Sequence, residues 1–394
     1  MLPRPDLLDA KSPAGLEVFQ LTTEPDVPAC HIYMEAQIFM PDGERFVLHR
    51  SAHPHGSDRQ DPKHQYLMCD VNTGEMTVMT DELGTTGPSI SPDGKWLYYF
   101  ADLTTVNGGT LSLKRVRTDG TGRETIMTVD GPLPGTSFRP SKVYPLSTIS
   151  SDGKRIAISC FLGDGTDEGA TWGLMVFDIE AATVRLILEG RSWCNIHPQY
   201  SRSLDTEASH DILVQENHGC EFDARGATSR SVSPPGADIH VIRDDGTNFR
   251  DMPWGRDGHE GCQGHQCWRG RSEWAITSTG IDKPGADGER THVQELIEGL
   301  ATEHADHRGL KSPGAVRNDL SRSFAGTPRF CHFATDINAK HFITDYRGSQ
   351  SWQLYDARFG KVGDEPLKDF RYLLDTRSSL PSTSNSRPRV ARRS

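Results

Sequence analysis

The sequence predicts an all-β protein built as a β-propeller, and three observations predict it. An Asp-Gly turn signature returns along the chain, apolar and polar residues alternate on either side of each turn, and the copies stand about fifty residues apart. The copies are Met40-Pro41-Asp42-Gly43 before Arg45-Phe46-Val47-Leu48, Ser91-Pro92-Asp93-Gly94 before Trp96-Leu97-Tyr98-Tyr99, and Ser151-Asp152-Gly153 before Arg155-Ile156-Ala157-Ile158. Asp caps its own turn and Gly takes the positive-φ position, so the flanking strands pair as hairpins. Such a ring gathers the inner-strand ends of every blade around one channel, where residues distant in sequence meet.

The elements follow in order. Residues 1–15 read as an N-terminal tail, 16–376 as the propeller and 377–394 as a Ser/Pro/Arg-rich tail with almost nothing to bury, expected to be disordered. Leu16–Leu21 is strand-like and precedes repeat one, which runs from Cys30 to Thr80 with a turn at Asn72-Thr73-Gly74. Repeats two and three cover residues 86–129 and 145–190. Repeat four starts near Cys194, carries a Gly/Ser/Pro-rich insertion over 219–236 and ends at Asp244-Asp245-Gly246. Repeat five starts near Gly264 and runs into a polar segment, 281–325, in which Val293–Leu300 has the apolar spacing of a short helix. Repeat six runs from Arg329 to Leu374. Six repeats and a lone N-terminal strand imply a seven-bladed type with an incomplete last blade.

Composition narrows the function. A formal net charge of −11 argues against a nucleic-acid partner. No stretch approaches the roughly 20 apolar residues of a membrane span, and Met1-Leu2-Pro3-Arg4-Pro5-Asp6 lacks the apolar run of a signal peptide. The expectation is a soluble, cytoplasmic protein with no membrane partner. The eight cysteines form no CxxC pair, so in a chain this long they read as free thiols. GxSxG, P-loop and HExxH signatures are absent, which leaves serine hydrolase, NTPase and zincin chemistry without their residues.

The candidate site lies in the histidines that open the repeats. These are His31, His197 with Gln199 two residues on, His265 and His332, joined by His218 at a strand end. Imidazole is both a metal ligand and a proton-transfer group near neutral pH. Each one alone reads as a turn or inter-blade hydrogen bond; the set in register reads as a site on the channel axis. His53-Pro54-His55 reads as a metal clip or a solvated loop, and His304 and His307 as parts of the polar insertion. Arg225 reads as an anion-binding group or a surface ion pair.

These segments resemble the oligogalacturonate lyases, pectin-degrading seven-bladed propellers of a polysaccharide lyase family. The likeness runs from about Gly15 to Asp375. It is strongest from His197-Pro198 through Asn217-His218-Gly219, Asp223-Ala224-Arg225 and Asp244-Asp245-Gly246-Thr247-Asn248 to Gly261-Cys262-Gln263-Gly264-His265-Gln266-Cys267-Trp268. Cys331-His332-Phe333 is similar to the family's Cys-Ser-His, whose His is a manganese ligand. The resemblance implies metal-assisted β-elimination of short oligogalacturonides, small acidic oligosaccharides, to 4,5-unsaturated uronates. It implies Mn²⁺ or another divalent cation on His332, and His265, Arg225 and His218 as the catalytic group, with Arg225 or His265 as base. His31, His197 and Gln199 fall on the substrate side. In the family the last blade adds a Gln and a His-Pro-His cluster to the metal site; here no His follows His341. A lyase for another uronate saccharide, and a non-catalytic propeller that binds saccharide or protein, are the alternatives.

Overall fold

The Asp-Gly turns fold as their residues dictate. Gly43, Gly94 and Gly153 take φ of 75°, 70° and 72°, a region that glycine enters without steric penalty. Ser91 Oγ donates to Asp93 Oδ1 (2.7 Å) and accepts from the Trp96 N–H (3.0 Å). Ser150 repeats the device with Asp152 and the Arg155 N–H. Each turn joins the innermost strand of a blade to the next strand out.

In the computed structural model, residues 1–24, 27–50, 59–230, 236–254, 260–284, 290–301, 316–324, 330–348 and 351–379 are described. They form six antiparallel blades of four strands, taken from the axis outward. Blade one is Ala29–His31, Arg45–Arg50, Gln65–Asp70 and Met76–Val78; blade two is Thr85–Ile90, Trp96–Thr105, Gly108–Arg117 and Glu124–Val129. Blade three is Lys142–Ile149, Arg155–Phe161, Trp172–Asp178 and Thr183–Gly190. Blade four is Gln199–Tyr200, Asp211–Asn217, Ala237–Arg243 and Arg250–Asp251. Blade five is Glu260–Trp268, Trp274–Pro284, Arg290–Leu300 and Arg317–Asp319, and blade six is Phe330–Thr335, His341–Arg347, Ser351–Arg358 and Lys368–Ser379.

Strand alternation sends successive side chains into the two neighbouring interfaces. In Arg155–Phe161, Ile156, Ile158 and Cys160 pack toward blade two, while Ala157 and Phe161 pack toward blade four. Five apolar clusters of this kind join consecutive blades from one to six. Truncating a fully buried member such as Ile158 to Ala costs about 2–5 kcal/mol. Among the described residues no comparable cluster joins blade six to blade one. Met34 Sδ accepts the Phe333 N–H there (3.1 Å), and Tyr33 meets the edge of His332.

Two expectations change, while the described residues give six four-stranded blades, as the six repeats predict. The short ribbon of Leu2–Pro3 with Phe19–Gln20 stands apart from them, and a degenerate seventh blade is compatible with this arrangement. The 293–300 segment is a strand: Arg290–Leu300 pairs without a break along Trp274–Pro284, and eleven paired residues override a local helical spacing. Cys194 and Cys220 form a disulfide, while Cys30, Cys69, Cys160, Cys262, Cys267 and Cys331 are not disulfide-bonded. No described helix is long and apolar enough to cross a membrane.

Candidate metal centre and channel site

Bulges aim the first group of side chains. The inner strand of blade five breaks register between Cys262 and Gln266, and that of blade six between Phe330 and Phe333. A bulge re-aims side chains locally, so His265, Cys331 and His332 face the same space. The two imidazole rings lie 4.4 Å apart, and the donor atoms of all three residues fall within 4.8 Å of one another. Thr277 Oγ1 donates to the His265 carbonyl and Thr344 Oγ1 to the His332 carbonyl, both at 2.8 Å, the same brace on adjacent blades.

Asp345, on the neighbouring strand of blade six, sits behind His332. It accepts from the His332 backbone N–H (2.7 Å) and meets Nδ1 of the ring (2.8 Å). Burial opposes a charge on His332, but its contacts with Asp345 and Cys331 outweigh that and raise the imidazole to about 10. His265 goes the other way. Burial, then the charges of His332 and His197, push it down to about 3, so its ring is neutral.

A second group lies across Tyr33, whose ring is 5.2 Å from His197 and 5.9 Å from His332. Glu35, 5% exposed, meets His197 Nδ1 at 2.9 Å. His197 Nε2 meets the Tyr144 hydroxyl at 2.9 Å, and that hydroxyl donates to Asn195 Oδ1 at 2.8 Å. Burial raises the Glu35 carboxyl above its ordinary range, with His197 partly opposing the shift. Asn195 and His197 hold φ of 54° and 47°, a left-handed conformation that few residues other than glycine adopt. Tyr144 and Asn195 line a cavity of about 280 Å³ with Trp172, Thr228, Ser229 and Arg230.

The structure therefore brings His197, His265 and His332 together. His31 ends the innermost strand of blade one with its side chain exposed at the surface; desolvation by the atoms packed around the ring, then the charge of His332, push its imidazole down. His218 stands in a different group, its Nε2 at 2.5 Å from Asp238 Oδ2, with Glu216 as third member. Gln199 is buried as a tie between blades, its amide donating to the Gln266 carbonyl (2.7 Å). Arg225 is exposed in the turn of the hairpin Glu221–Phe222 with Thr228–Arg230, and from this hairpin it is Arg230 that reaches the cavity wall. His53, His55, His304 and His307 lie outside the described residues.

Sequence reasoning missed Glu35, Tyr144, Cys331 and Asp345 as site residues. Cys331 had a signal, since a thiol beside a register-matched His is a ligand pair in waiting. Tyr144 had none. Two imidazoles and a thiol give a divalent ion the three protein ligands that a catalytic site requires. A sulfur donor in that set favours zinc-like ions over hard ones. Glu216, His218 and Asp238 are a second group with the right donor atoms.

No protein-family model matches the chain, and no curated protein matches it. Solved structures do. An oligogalacturonate lyase in complex with manganese is similar at a TM-score of 0.58 and 18% identity, covering 90% of this chain and 85% of its own. An oligogalacturonate lyase from Vibrio parahaemolyticus is similar at a TM-score of 0.61 and 15% identity, covering 94% of this chain and 84% of its own. At these identities the likeness establishes the propeller fold.

Proposed function

We propose that this chain is a metal-assisted lyase for short oligosaccharides of uronic acids, oligogalacturonides in the first place. The observation that carries the reading is the meeting of His265, Cys331 and His332 from two blades in one channel site. It is supported by the manganese complex among the similar structures. A divalent ion on these three residues would neutralise the uronate carboxylate and spread the charge that develops when the C5 proton leaves.

The protein residues divide the remaining work. His265 and His332 serve as ligands, which takes His265 out of the base role. Asp345 orients the His332 ring from behind. We assign the base to His31, an exposed imidazole within electrostatic reach of His332, while Arg225 and Arg230 on the hairpin offer charge to the substrate's other carboxylates. Arg225 is a poor base because its guanidinium stays protonated.

A second reading is a saccharide-binding propeller without turnover. Among the described residues the metal group draws its donors from blades five and six alone, which favours it. The deciding experiment incubates the protein with digalacturonate, with Mn²⁺ or Zn²⁺ and after chelation, and follows the ultraviolet absorbance of the conjugated product. Metal-dependent product supports the lyase. Binding in calorimetry without product supports the second reading, and neither binding nor product removes both.

A further inference from the structure

We infer that Tyr144 is the proton donor to the departing 4-oxygen, fed by His197 and Glu35 behind it. The inference rests on the lyase reading and extends it to a residue that sequence comparison did not suggest.

The geometry is that of a relay with one open end. Glu35 Oε2 meets His197 Nδ1, and His197 Nε2 meets the Tyr144 hydroxyl, each at 2.9 Å. The inner end is sealed, since Glu35 and His197 are both buried. The outer end is open, since Tyr144 and Asn195 line a cavity of about 280 Å³. The relay stands across Tyr33 from the metal-ligating group, and the proposal places the leaving oxygen of a uronate bound to that group on the Tyr144 side.

Two features are costly for a purely structural tie. Glu35 Oε1 is buried with no hydrogen-bond partner among the described residues, and a buried polar atom left unpaired is destabilising. Asn195 and His197, which hold the tyrosine hydroxyl, both sit at positive φ. Strain of this kind persists where the surrounding structure enforces it, often at functional sites. A neutral Glu35 carboxyl, favoured by its burial, is the proton reservoir that such a relay needs.

The step balances. The base takes the C5 proton, the C4–O4 bond breaks with its electron pair on O4, and O4 takes the Tyr144 hydroxyl proton. Tyr144 takes a proton from Nε2 of His197, whose Nδ1 takes the carboxyl proton of Glu35. After the products leave, water returns one proton along the same chain and the base gives up the other.

The test uses Tyr144→Phe in the full chain. Elimination of digalacturonate should fall by about 100-fold or more, the worth of a general acid. Three readouts should hold: metal affinity, melting temperature, and exchange of the C5 hydrogen for deuterium in D₂O, which needs only metal and base. A uronate with a 4-O-aryl group, which leaves without a proton, should be eliminated by the variant nearly as fast as by the parent. Glu35→Gln should shift the pH profile of kcat with little change in KM. Unimpaired elimination by Tyr144→Phe, or loss of exchange and elimination together, overturns the inference while leaving the lyase reading intact. If the parent neither exchanges nor eliminates, the lyase reading fails and the inference goes with it.

Discussion

His332 and Asp345 face each other across the two inner strands of blade six, and the carboxylate holds both the backbone N–H and the ring Nδ1 of the histidine. In the proposed site Nε2 is then the ring atom that would ligate beside Cys331 and His265. A carboxylate behind a ligating imidazole fixes its tautomer and raises its basicity.

Asp345→Asn should therefore weaken divalent-metal binding by about 10–100-fold with little effect on folding. Titration calorimetry with Zn²⁺ and thermal melting of the metal-free protein check this. Unchanged affinity would mean that His332 is not a ligand.

In the proposed metal site the sulfur of Cys331 would set metal preference. The parent should bind Zn²⁺ more tightly than Mn²⁺, and Cys331→Ser should narrow that gap by weakening Zn²⁺ more. Competition between the two ions, read by the electron paramagnetic resonance of free Mn²⁺, reports it. Equal losses for both ions would remove the thiol from the ligand set.

Glu216 gives a pH prediction. Burial opposes its charge, but hydrogen bonds from His240 and Ser192 and the charges of His240 and His218 prevail, lowering it from 4.5 to about 2. A depressed folded value means that the unfolded chain binds the proton first as pH falls. The stability it contributes is full above 4.5 and is lost as pH falls toward 2. Melting temperature should drop more steeply over that window in the parent than in Glu216→Gln. Parallel curves would contradict the assignment.

Arg269 and Glu298 are a buried ion pair within blade five, with the carboxylate also accepting from Asn318 Nδ2 and from the Gly363 N–H of blade six, both at 2.8 Å. Glu298→Ala leaves a buried guanidinium unpaired and should cost about 3–5 kcal/mol. Replacing both residues by apolar ones should cost less than the single change. Urea denaturation distinguishes the two outcomes.

Much of this was legible in the sequence. The Asp-Gly turns read as hairpins because Gly94 and Gly153 have a conformational job that the chain advertises. His197, His265 and His332 read as a set because repeat register is a one-dimensional signal of angular position around an axis. The Arg290–Leu300 strand was hidden because its partner, Trp274–Pro284, decides its conformation and the local spacing does not. Tyr144 and Glu35 were hidden for a related reason. Each is unremarkable in its own repeat, and their connection through His197 joins three blades that no local pattern links. The Cys194–Cys220 pair was likewise invisible, since its partners are separated by a whole strand.

Each blade is woven from one continuous stretch of chain, and among the described residues the ring's first and last members meet through small contacts such as Met34 with Phe333 rather than through an apolar cluster. Tyr33 and Glu35 stand on one lip of that seam, His332 and Asp345 on the other. The proposed site thus straddles the joint with the least glue. Gentle warming or mild denaturant should silence the chemistry while most of the β-structure is still standing, and a bound metal or sugar would act as the clasp that keeps the circle shut.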